Sequence, residues 1–228
     1  MYFVFFVLAQ FLLVADAPPL VPDFAQAPVY GRQNGGTLTL TLQSAPKAGD
    51  TLLILGEGKD GLPGIPGFNQ RFYDGAQSFQ AAWAYTRTVM TGDSRIIIID
   101  LRAIYGFANV VVIELNHADR LSFAHGAPSI SGHMSTGFAP ANGASASASI
   151  ALAMFEADDS IARIPAVGPG WTLLHAFGVS SGSNHVAALT KTTGLLSSDG
   201  SSNAPWIVWP RFPDLPIAMT VTITSEHH

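Results

Sequence analysis

The chain of 228 residues contains no cysteine, and only 12% of it is charged, against about 25% in an ordinary soluble domain. The first absence excludes a disulfide framework, a thiolate nucleophile and cysteine-ligated zinc, so packing alone must hold the fold. The second leaves an exterior of Ser, Thr, Asn, Gly and backbone, which costs little to desolvate when protein packs against protein. Basic residues are scarcer still. With 11 Lys and Arg against 16 Asp and Glu, the net charge is −5, which offers no electrostatic footprint for nucleic acid.

What is abundant is turn chemistry and apolar content. The 22 glycines and 15 prolines punctuate segments rich in Val, Ile, Thr and aromatics, the composition of strands and turns. The 48% hydrophobic content needs no membrane, because a chain of this size buries roughly 70% of its extended surface on folding. An all-β fold is expected, a two-sheet antiparallel β-sandwich.

Two regions are expected along the chain: an arm and linker over 1–36, and the sandwich over 37–228. Residues 1–15, MYFVFFVLAQFLLVA, are apolar apart from Gln10 and end before Pro18-Pro19. The run is too short for a spanning helix of about twenty residues, so no membrane span is expected. It reads as a hydrophobic arm that packs as a strand on its own domain or a neighbour. A signal peptide is the other reading, with Ala15-Asp16-Ala17 as cleavage site but no basic residue before the apolar run. Residues 18–36, with four prolines and Gly35-Gly36, read as an extended linker.

Within the domain, Thr37-Leu38-Thr39-Leu40-Thr41-Leu42 alternates as a half-buried strand does. Thr51–Leu55 is a core strand, and further strands are expected at 79–89, 95–101, 107–115, 145–156, 171–179, 185–192 and 217–224. The order of signals in 49–115 returns in 149–224. Leu52–Leu55 corresponds to Ala151–Phe155, Pro66-Gly67-Phe68 to Pro169-Gly170-Trp171, Ala81–Arg87 to Val186–Lys191, and Gly92 to Gly194. Neither half supplies two covered sheets, so the halves are expected to close together as one jelly-roll sandwich with an internal pseudo-repeat.

The run Ala48-Gly49-Asp50-Thr51-Leu52-Leu53-Ile54, Pro66-Gly67-Phe68, and then Pro169-Gly170-Trp171-Thr172-Leu173-Leu174 with Lys191 and Gly194 resembles jelly-roll structural proteins of tailed phages and related virus-like particles. The resemblance covers residues 37–226 and departs from the pattern at Phe68, where Trp is usual. It implies a non-enzymatic capsid-decoration, fibre or tail component, located in the virion. Its implied partners are copies of itself and other virion proteins, with a host-surface glycan as a further contact.

Several motifs imitate chemistry. Gly56-Glu57-Gly58-Lys59-Asp60-Gly61 fits G-x-G-x-x-G, but Pro63 and Pro66 deny it the helix that binds pyrophosphate. Gly178-Val179-Ser180-Ser181-Gly182 fits G-x-S-x-G, with Ser180 as nucleophile, Asp199 or Asp214 as acid and His227 or His228 as base. That reading requires a helix over 184–192 and a parallel sheet, against the strand-and-turn pattern of the rest. His117, His125 and His133 recur every eight residues with Asp119 nearby, a spacing that belongs to no one helical face or tight ligand turn. Glu156, Asp158 and Asp159 supply hard oxygens for calcium without an EF-hand pattern. No catalytic residue, metal or cofactor is therefore expected. Trp206, Trp209 and Arg211 remain: they either staple the sandwich as an edge strand or form a platform for a glycan. The platform corresponds to a second function, a secreted or cell-surface lectin-like β-sandwich.

Overall fold

The computed structural model describes residues 22–59, 61–77, 80–128, 133–136, 149–158, 166–167, 170–178, 185–194, 206–208 and 214–225. The hydrophobic run 1–15 lies outside them. Every regular element among the described residues is a strand, and every pairing is antiparallel.

The strands form three sheets. A central sheet is built from β1 (Asp23–Phe24), β2 (Val29–Asn34), β4 (Thr51–Lys59), β5 (Asn69–Gln77), β6 (Gln80–Thr88) and β8 (Tyr105–Asn116). Its order is β1-β8-β4-β6-β5, with β2 also on β8. A larger sheet carries β9 (Arg120–Pro128), β10 (His133–Thr136), β11 (Ser149–Asp158), β12 (Ala166–Val167), β13 (Thr172–Phe177), β14 (His185–Gly194), β15 (Trp206–Val208) and β16 (Asp214–Thr224). Its order is β12-β15-β10-β9-β16-β11-β14-β13. β3 (Thr37–Thr41) and β7 (Ile96–Asp100) pair as a two-stranded sheet of their own.

The three sheets stack as layers, because strand alternation sends successive side chains to opposite faces. Leu53, Leu55, Ala82, Ala84, Val111, Ile113 and Leu115 of the central sheet pack against Ile150, Leu152, Met154, Leu189, Met219, Val221 and Ile223 of the larger one. The other face of the same strands, with Leu52, Ile54, Trp83, Tyr85, Val110 and Val112, packs against Leu38, Leu40, Ile97 and Ile99 of the two-stranded sheet. The middle strands are therefore buried on both faces. That is why β4, β6 and β8 read as continuous apolar runs while β3 alternates, with its leucines inward and threonines outward. Each side chain of Leu or Ile size removed from water contributes about 2 kcal/mol before entropy is counted. A polar clasp ties the layers at one edge: Lys191 Nζ lies 2.8 Å from Asp23 Oδ1 and 4.0 Å from the centre of the Phe24 ring.

The stretch expected as a linker carries β1 and β2, and both hydrogen-bond along β8. A linker composition does not prevent pairing where a partner edge is open. Gly31 is needed there, because a Cβ would strike Leu40 of the two-stranded sheet.

The chain completes the central sheet before it starts the larger one, β3 and β7 aside. Strands crossing back and forth between two sheets, as in the expected jelly roll, are not the pattern of the described strands. Within each sheet the chain path is alike: β8-β4-β6-β5 in one, β16-β11-β14-β13 in the other. The turn before β5 places Gly67 at φ 78°, and the turn before β13 places Gly170 at φ 80°. One residue is bulged at the third position of each following strand, Arg71 in β5 and Leu174 in β13.

Candidate functional site

Of the three residues of the expected platform, only Trp206 lies among the described residues. Trp206 begins β15, opposite Ser135 of β10, in a strand that lies between β10 and β12. Trp209 and Arg211 lie outside the described residues. So do Ser180, Asp199, His227 and His228, while Asp214 opens β16 opposite Asp158. The segment that a nucleophile elbow would need as a helix is strand β14, paired along its length with β11.

The three histidines are spread over different elements. His117 sits exposed in the β8–β9 turn at φ 50°, His125 is in β9 opposite Met219, and His133 is in β10 opposite Val208. Glu156 and Asp158 lie within β11, and Asp159 is outside the described residues. Among the described residues no group of three or more His, Asp or Glu could hold a metal ion. Nor is any helix there long and apolar enough to cross a membrane.

The glycines of the G-x-G-x-x-G run serve packing. Gly56 lies under the ring of Trp83, Gly58 faces Ile104 and the backbone of Phe107 and Ala108, and Gly61 takes φ 110° against the carbonyl of Ala103. A phosphate cradle needs free amides, whereas Gly56 and Gly58 lie in a central strand paired on both sides.

Two other places concentrate polar chemistry. The first is a cleft of about 450 Å³ lined by Thr51, Arg71, Thr86, Arg87, Thr88, Ala118, Asp119, Arg120, Leu121 and Ser122. Its walls come from different sheets. Thr51 and Thr88 are cross-strand partners at the end of β4 and β6, and Arg120, Leu121 and Ser122 open β9 opposite Thr224, Ile223 and Thr222. Beside it the rings of Phe72 and Phe123 stack 5.9 Å apart across the layers. The β8–β9 turn is fixed by the Asp119 amide, which donates to the Thr224 carbonyl at 3.1 Å. Arg87 is already engaged: its Nη2 lies 3.0 Å from Asp93 Oδ2, and its guanidinium covers the Phe68 ring at 5.0 Å.

The second is a carboxyl pair on the two-stranded-sheet side. Asp50 and Glu114 are both buried and lie in hydrogen-bond contact. Glu114 also accepts from the Lys47 amide at 2.7 Å and from the side-chain amide of Gln26. Burial, the Glu114 hydrogen bond and the Glu114 charge push the Asp50 carboxyl above its ordinary value, against the pull of Lys47 and His117. A second carboxyl this close disfavours the ionised form of Asp50.

Sequence reasoning passed over both places. The cleft arginines lie far apart in sequence and meet only when β5, β6 and β9 are layered. Asp50 and Glu114 lie on different strand ends. The fold and these sites define an all-β layered sandwich. No protein-family model, curated protein or solved structure matches this chain.

Proposed function

We propose that the chain is a non-enzymatic structural protein of a virion, a capsid-decoration, fibre or tail component, that assembles with further copies of itself and other particle proteins through weakly charged faces. The observation that carries this reading is the outer face of the two-stranded sheet. Thr39 is paired with Ile98 and Thr41 with Ile96, and all four point away from the core. Ile96 is 48% exposed and Ile98 is 54% exposed. At one corner Arg102 clamps Asp100 and holds its carboxyl down at about 2. A monomer gains only strand propensity from β-branched apolar residues turned to water, whereas a second copy of the same face would also cover them.

The internal repeat belongs to the same reading. Like strand order, like glycine turns and like bulges in the two sheets support two copies of one unit closing face to face, although the connections depart from those of a jelly roll.

The test is a charge placed in the face. Ile96→Lys combined with Ile98→Lys leaves both cores untouched, so the protein should melt as the wild type does. Its mass in solution should fall to that of one chain. An unchanged assembly in the folded variant would refute the role of this face.

A further inference from the structure

The cleft between the central and the larger sheet is not used by the assembly reading, and its chemistry is out of keeping with the rest of the molecule. In a chain with only 11 basic side chains and a net charge of −5, three arginines line one cavity. Four of its other lining residues carry hydroxyls, namely Thr51, Thr86, Thr88 and Ser122.

Arg71 is the decisive residue. It is the extra residue of the β5 bulge, lying between the pairs Gln70–Tyr85 and Phe72–Ala84, and it is exposed. A bulge re-aims the side chain it carries. The corresponding bulge in β13 carries Leu174, which packs against the core. The two like bulges thus present different chemistry, an apolar side chain on the core in one sheet and an exposed guanidinium lining the cleft in the other. Arg120 approaches from the opposite wall, on the strand that opens β9. Guanidinium groups offer paired N–H donors that match the two oxygens of a carboxylate or sulfate. Hydroxyls of Thr and Ser both donate and accept, and the Asp119 carboxylate only accepts, so the rest of the lining suits a ligand rich in O–H groups. The volume is that of a small-molecule site.

We propose that this cleft binds an acidic saccharide, a polyhydroxylated ring carrying one carboxylate or sulfate, held by Arg71 and Arg120 at its charged group and by Thr88, Ser122 and Asp119 at its hydroxyls. This site is separate from the assembly face, so the binding holds whether or not the chain oligomerises.

Calorimetric titration of the full chain at low salt tests it, with glucuronic acid, glucose 6-sulfate, glucose and inorganic sulfate as probes. At least one of the two acidic sugars should bind at least tenfold more tightly than glucose and than inorganic sulfate. Arg71→Gln should weaken that sugar at least tenfold, and Arg71→Lys should weaken it less because the charge is kept and only the fork is lost. Trp206→Ala should change nothing. Equal binding of glucose and the acids, sulfate bound as tightly as the sugars, or full retention in folded Arg71→Gln would each overturn the proposal. Should Arg71→Gln fail to fold, amide shifts in the wild type decide. Perturbation by the acidic sugar at Arg71, Thr88 and Ser122 supports the site, and perturbation confined to other strands overturns it.

Discussion

Trp83 lies across Gly56, its direct partner on the neighbouring strand, so closely that a Cβ on that glycine would come within 2.0 Å of the indole ring. The ring is fully buried and meets Tyr85 edge-on at 6.0 Å, and the Tyr85 hydroxyl donates to the Pro63 carbonyl at 3.0 Å. A glycine that looks in sequence like part of a phosphate loop is thus the floor of an aromatic slot in the core.

Gly56→Ala should therefore destabilise the protein by about 1–3 kcal/mol, the range for overpacking a filled core. Combining it with Trp83→Phe, which shortens the ring, should recover part of that loss. Denaturant titration of the two single variants and the double variant reads the coupling, and strict additivity would show that the two residues do not compete for one space.

Burial of the central sheet on both faces makes a second prediction. Ile54 points toward the two-stranded sheet and Leu55 toward the larger one, and both are fully buried. Ile54→Ala and Leu55→Ala should each cost about 2–5 kcal/mol. Thr39→Ala on the outermost face should stay within about 0.5 kcal/mol. A cheap Ile54→Ala in equilibrium unfolding would mean that the two-stranded sheet does not cover its face.

The Asp50–Glu114 pair sets a pH dependence. The folded-state value of Asp50 is raised above its ordinary 3.8 by burial first and by Glu114 second. The folded chain then holds a proton that the unfolded chain releases. The stabilisation is complete below about pH 3.9 and is lost as pH rises through the folded value. Asp50→Asn keeps a group that can donate to Glu114 and removes the second charge. It should raise the melting temperature at pH 7 by about 2–4 °C, as about 1 kcal/mol does for a chain this long, and by less at pH 3. Calorimetric melting across this range checks the sign, and a larger gain at pH 3 would contradict it.

Strand positions were legible wherever a residue pattern reported burial. Thr37–Leu42 alternates because one face is wet, and Leu52–Leu55, Ala81–Tyr85 and Val110–Ile113 run apolar because both faces are dry. β2 (VYGRQN), β5 (NQRFYDGAQ) and β9 (RLSFAHGAP) gave no such signal. They are polar and interrupted by glycine, and β5 is bulged and at a sheet edge, so the few side chains that pack inward, among them Tyr30, Phe72, Leu121 and Phe123, make no regular pattern. The third layer was illegible for a related reason, since no local pattern says which sheet a buried face meets. The cleft was half legible. Setting Pro66-Gly67-Phe68 beside Pro169-Gly170-Trp171 aligns Arg71 with Leu174, and that mismatch between like halves marks the arginine, whereas its meeting with Arg120 depends on how the sheets stack.

The proposed assembly makes one prediction about the unmodified chain. Sedimentation of the unmodified full chain over a hundredfold range of concentration tests it most directly. The mass should grow with concentration to a multiple of the 24.0 kDa chain, and a single species at one chain's mass throughout the range would refute assembly.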